Sequence, residues 1–125
     1  MPEYGGLRYD FKPPSHVLAL LEDWPLRWPV EDENGVALSS FAGLTWGFAL
    51  LDRLGTANGW TAVLAAALIS KTGADITASV PNVDLTVTAA NQTTAALTVR
   101  PYAYELFQLT SPVRRVAYGL IVPVA

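Results

Sequence analysis

Apolar and polar positions alternate along much of this chain. Leu26, Trp28 and Val30 alternate with Pro25, Arg27 and Pro29 in "DWPLRWPV", the pattern of a half-buried strand. Proline at every second position cannot donate to a ladder, so this is an edge strand or an irregular one. "EDENG" follows, and Asn34-Gly35 supplies the positive φ values of a tight reversal. "LTWGFALL" reads as the next strand, with Trp46, Phe48 and Leu50 on one face. "NGWTAVLAAALISKTG" is ambiguous. Its alanines favour a helix, Trp60, Thr61, Val63 and Ile69 favour a strand, and the reading preferred over 59–70 is a strand. "ADITASV", "VDLTVTAA" and "TTAALTV" are Thr/Val-rich runs of period two, separated by Pro81-Asn82 and Asn91-Gln92.

The chain closes on "LTVRPYAYELFQLTSPVRRVAYGLIVPVA", two strands across a turn that holds Arg114 and Arg115, both expected to be solvated. Tyr102, Tyr104 and Leu106 share one face, Glu105 and Phe107 the other; Val116, Tyr118, Leu120 and Val122 share a face of the last strand. The predicted core is therefore Trp28, Trp46, Phe48, Tyr102, Tyr104, Leu106 and Tyr118. Turn signals roughly every 8 to 12 residues define about seven to eight strands, an all-β sandwich or barrel.

Residues 1–15 read as an extended arm, because Gly5, Gly6, Pro13 and Pro14 oppose regular structure. Tyr4, Leu7, Tyr9 and Phe11 are too apolar for an idle tail. They either cover the chain's own core or reach a partner, and the expectation is that the arm orders against another chain. With Trp24 they form the candidate interface. "HVLALLEDW" after the arm fits a helical turn or a first strand.

Composition sharpens this picture. The 125 residues suit one domain. Half are apolar and only 15% are charged, against a usual share of about 25%. Such a chain is either a tightly packed domain with a Ser/Thr surface or a subunit whose apolar faces meet neighbours. The net charge of −3 includes no basic stripe, which gives nucleic-acid binding no electrostatic support. The chain has no cysteine, so disulfides, thiolate metal sites and cysteine nucleophiles are excluded together. No stretch has the length and apolar purity of a membrane span, and "MPEYGGLRYDFKPP" lacks the apolar centre of a signal peptide; the expectation is a protein made and used without secretion.

Candidate chemistry is sparse. His16 is the single histidine and reads as a surface residue. Glu22-Asp23 and Glu31-Asp32-Glu33 are the acid clusters. A small hydrolase using Glu22 or Asp23 would need two carboxyls about 5 to 10 Å apart across a cleft, but both clusters fall where turns belong. "EDENG" lacks the spacing and distal Glu of a calcium loop, and no Gly-rich stretch has a phosphate-loop Lys-Ser/Thr step. Catalytic, cofactor and metal residues are therefore expected to be none. Exposed Trp24 or Trp60 would suit a carbohydrate-binding module; in a sandwich, tryptophans more often fill the core or an interface.

One order of motifs stands out. "EDWPLRWPV" leads to "DENGVALSSFAGLTWGFALLDR", and "NVDLTVTAANQTTAAL" leads to "YAYELFQLTSPVRRVAYGLIVPV". An acidic-polar-Trp entry, an Asn-Gly turn, a Thr/Val strand and a closing "Y-x-Y-E-L" hairpin resemble the immunoglobulin-like domains of tailed-phage structural proteins. The similarity is to the N-terminal domain of upper baseplate proteins, which anchor receptor-binding proteins, and covers roughly residues 22–125. It implies an immunoglobulin-like β-sandwich at 22–125 with an extended arm at 1–21. It implies a non-enzymatic virion protein, assembled in the host cytoplasm, that docks through arm and sheet faces to itself and to other capsid, tail or baseplate proteins. No cofactor, nucleic acid or membrane is implied. No coiled coil or fibre follows the hairpin, so the expectation is a free-standing module. A carbohydrate-binding module for host-surface recognition is the alternative.

Overall fold

A computed structural model describes residues 7–55, 58–110 and 112–125. Eight strands form two sheets. The larger is ordered β1 (His16–Ala19), β8 (Arg114–Val124), β7 (Tyr102–Gln108), β3 (Trp46–Leu51), β4 (Ile69–Thr72). The smaller is ordered β2 (Trp24–Pro29), β6 (Asn82–Val87), β5 (Thr77–Ser79). All pairings are antiparallel except β1 with β8, which is parallel. Among the described residues two α-helices, α1 (Trp60–Ala66) and α2 (Ala89–Thr94), and a 3-10 turn at Gly73–Asp75 occupy connections.

The sheets meet through their alternating faces. Trp24, Leu26, Trp28 and Val30 point inward from β2 and its end, while Pro25, Arg27 and Pro29 face water. β2 is an edge strand, where its prolines do no harm to a ladder. Opposite lie Trp46, Phe48 and Leu50 of β3 and Tyr102, Tyr104 and Leu106 of β7, all buried. At the centre Trp28 Nε1 donates to Tyr104 Oη at 3.1 Å, and Phe48 stacks on Tyr104 with centroids 6.1 Å apart. Tyr102 Oη accepts from the Thr98 backbone N–H at 2.8 Å. A tyrosine at the start of the penultimate strand that bonds back to the preceding loop is the tyrosine corner of immunoglobulin domains. Two residues later, where those domains place the second cysteine of the inter-sheet disulfide, stands Tyr104. The fold is an immunoglobulin-like β-sandwich.

Three expectations change. The run at 59–70 is not one strand: α1 spans Trp60–Ala66 and β4 begins at Ile69. Alanine's helix propensity prevails because the helix has a seat. Val63, Trp60 and Ala67 pack with Ala49, Leu51, Ala103 and Phe107 on the outer face of β3 and β7. Gly47 makes room, since a Cβ there would lie 2.7 Å from the tip of the Trp60 ring. "TTAALTV" is not a strand either. Thr88 caps α2: its Oγ1 accepts from Asn91 N–H at 3.1 Å, and Asn91 Oδ1 accepts from Thr88 N–H at 3.0 Å. This is a capping box with asparagine in the place usually held by Glu or Gln.

The last strand differs by one position. Its register against β7 shifts between Leu106 and Phe107, which leaves Val116 as an extra residue. Beyond the bulge Ala117, Gly119 and Ile121 face Leu106, Tyr104 and Tyr102 in the core. Tyr118, expected in the core, is instead opposite Glu105 on the outer face and half-buried.

Candidate docking surface

The described part of the arm lies along its own sandwich. Phe11 bridges Ala117 in the parallel sense, continuing the line of β1 beside β8. Because the bulge turns two successive carbonyls the same way, Arg115 O and Val116 O accept from the N–H groups of Asp10 and Phe11. Leu7 bridges Asp32, beyond the end of β2, and is buried at 5% exposure. The segment thus crosses from one sheet to the other. Leu7 is a core residue, which corrects its place in the expected interface. Tyr9 and Phe11 are half-buried. Tyr4 lies outside the described residues. The sandwich begins at β1, ahead of residue 22, because the apolar run after Pro14 pairs with β8.

Cations hold this segment down. Arg114 stacks over Tyr9 at 4.1 Å and Arg8 over Phe11 at 4.5 Å. Arg8 also pairs with Glu31 at 2.8 Å. Arg115, expected to be solvated, is half-buried: it lies 4.1 Å over Tyr118, donates to Asp10 at 2.8 Å and approaches Glu105 at 3.4 Å. Burial pushes the Glu105 carboxyl up from its ordinary range, Arg115 opposes the rise, and Asp10 adds to it. An open groove of about 520 Å³ beside this cluster is lined by Leu54, Phe107, Glu105, Val113, Arg114 and Tyr118, among others. Residues 10, 105 and 115 are far apart in the sequence, and their pairing depends on the bulge, which no local pattern announces.

The other candidate residues are absorbed into structure. Trp24, expected at an interface, is fully buried, and its Nε1 donates to Ala19 O at 2.8 Å. Trp60 packs on Gly47 and Phe107. His16 is not a surface group: its ring lies edge-on to Trp28 and Tyr104, and its buried Nε2 has no hydrogen-bond partner among the described residues. Asp23 accepts from the Ala89 N–H at 2.9 Å, at the first turn of α2. Asp32 accepts from Asn34 and Val36 N–H groups and shapes the reversal at Gly35, whose φ is 82°. Among the described residues no three His, Asp or Glu side chains gather as metal ligands would.

Apolar side chains remain in water at several places, Val36, Val99 and Val113 among them, and three fall along one margin. Val17 of β1 is 64% exposed, Val124 of β8 39%, and Leu21, just past β1, 54%. Leu20 N–H donates to Val124 O, so even-numbered residues of β1 bond to β8 and odd-numbered ones turn their backbone groups away from it.

No family model matches the chain, and no curated protein matches it. Among solved structures, the Drosophila OTK extracellular domains 3-5 are similar, with a TM-score of 0.38 and 10% identity. That match covers 99% of this chain and 36% of the other, so the chain spans about a third of that structure's length.

Proposed function

We propose that this sandwich is a non-enzymatic assembly domain of a tailed-phage particle, docking to copies of itself and to other capsid, tail or baseplate proteins. The observation that carries the reading is the apolar margin of β1 and β8. Val17, Leu21 and Val124 stay in water while most of the arginines are drawn into pairs and stacks. An apolar margin beside a strand edge is a liability in a solitary protein and a contact surface in an assembled one. The order of motifs ending in Tyr102, Tyr104, Glu105 and Leu106 supports the choice of a phage particle. The carbohydrate-binding alternative drew on exposed indoles, and Trp24 is inside while Trp60 is packed against the sheet. Among the described residues no helix is long and apolar enough to cross a membrane.

The test is a mass-spectrometric census of purified particles from the source phage. The chain should be present at a fixed copy number, and a Val124→Glu variant that folds normally should be depleted from particles. Particles without the chain would refute the reading.

A further inference from the structure

The chain has four asparagines, and two of them, Asn34 and Asn58, are followed by glycine. An asparagine so placed carries a latent reaction. The backbone nitrogen of the next residue gives up its proton to water and attacks the side-chain Cγ. The N–Cγ bond forms as the Cγ–Nδ2 bond breaks, and the amide nitrogen leaves as ammonia. Water then opens the cyclic imide at one carbonyl or the other, giving aspartate or isoaspartate. Glycine favours the attack because no Cβ crowds the nitrogen and its backbone turns freely. Asn82 and Asn91 lack this neighbour, and Asn91 is further committed: its Oδ1 accepts from Thr88 N–H and from Lys71 Nζ.

The two Asn-Gly steps are both exposed but differ in setting. At the first, the attacking nitrogen is already engaged: Gly35 N–H donates to Asp32 O at 3.0 Å. Asp32 Oδ1 accepts from Asn34 N–H at 2.8 Å and from Val36 N–H at 3.0 Å, and Asp32 N–H donates to Val36 O at 2.8 Å. The aspartate side chain thus closes the reversal on both sides of Asn34, and the nitrogen of Gly35 is released for attack only when the turn opens. At the second, Gly59 leads into α1 with φ 80° and ψ 159°. Its carbonyl accepts from Val63 N–H at 3.0 Å, while among the described residues its N–H and the Asn58 side chain have no hydrogen-bond partner.

We infer that Asn58 is a modification site, converting without an enzyme to aspartate and isoaspartate, and that the Asp32 turn holds Asn34 against the same reaction. The place of the product gives it an effect. Asn58 lines the groove that Glu105 and Arg114 also line, so conversion sets a new carboxylate there. It also sets a negative charge ahead of α1, whose first turn holds no acid. In the isoaspartate form the backbone gains a methylene where the chain enters that helix. The groove therefore changes its charge with the age of the molecule.

The experiment is peptide mapping by mass spectrometry on the purified chain, sampled over time at mildly alkaline pH and body temperature. In the folded chain Asn58 should convert about tenfold faster than Asn34, equivalent to about 1.4 kcal/mol for opening the turn. In guanidinium chloride the two rates should draw together, because the fold is what separates them. Asp32→Ala removes the side-chain acceptor that closes the reversal and should bring Asn34 toward the rate of Asn58. Asn58→Gln should remove the acidic species that accumulates on standing from an anion-exchange profile. An Asn34 that converts as fast as Asn58 in the folded chain, or a ratio that persists in guanidinium chloride, overturns the inference. So does an Asn58 that keeps its amide in the folded chain while the unfolded chain reacts.

Discussion

Changing Tyr104 to Phe removes a single oxygen from the middle of the sandwich. The ring, its stacking on Phe48 and its contact with Gly119 remain, so no cavity of consequence opens. What is lost is the acceptor for Trp28 Nε1, 3.1 Å away, on a tryptophan only 2% exposed. Water cannot replace that acceptor without entering the aromatic core. A buried donor without a partner costs about 1–3 kcal/mol. For a domain of this size that lowers Tm by about 3–12 °C. Urea unfolding followed by circular dichroism should show a lower midpoint at unchanged m, since the surface exposed on unfolding hardly differs. Trp28→Phe should cost more, because it also removes ring area. The double variant should be more stable than the two single losses added together, by about 1 kcal/mol, since it leaves neither group orphaned. If Tyr104→Phe falls within about 0.3 kcal/mol of wild type, or if the two changes simply add, the hydrogen bond is not what ties the sheets at this point.

Two further outcomes are expected. Gly47→Ala places a methyl 2.7 Å from the Trp60 ring tip, so α1 must shift outward; a loss of about 1–3 kcal/mol and a red-shifted tryptophan emission should follow, and unchanged emission would mean that the ring has another seat. Burial lowers the His16 pKa from 6.5, so the folded state binds this proton less readily than the unfolded chain; stability should be unaffected by His16 above about pH 6.5 and fall as pH drops through its lowered folded value, and His16→Leu should remove that limb from a pH series of urea midpoints.

The legible parts of the fold were those where one face of a strand is buried and the other wet. β2 is such a strand, with every second residue buried, and Asn34-Gly35 marks its turn by φ alone. The misread parts are those where tertiary contact outweighs local pattern. Nothing near Trp60 announces that Gly47, thirteen positions earlier, leaves room for its ring. The bulge at Val116 moves Tyr118 from one face to the other, and period-two reasoning has no means to place such a step. The arm was legible as apolar and extended, but its destination depended on two carbonyls that the same bulge presents. Thr88 and Asn91 were the local signal missed, because asparagine also marks turns. At the candidate surface, the uncharged run around Val17 was visible, whereas its position at an edge required the sheet order.

The parallel neighbours β1 and β8 stand near opposite ends of the chain, with His16 beside Ile121 and Ala19 beside Val124. A pull applied at the two ends of the molecule would draw these strands past each other along their own axes. Their hydrogen bonds would then be loaded together in shear, not opened one after another as in a hairpin peeled from its end. With no covalent tie between the sheets, such a pull would meet the arm's bonds to Glu31, Arg115 and Val116 first and then this short parallel ladder.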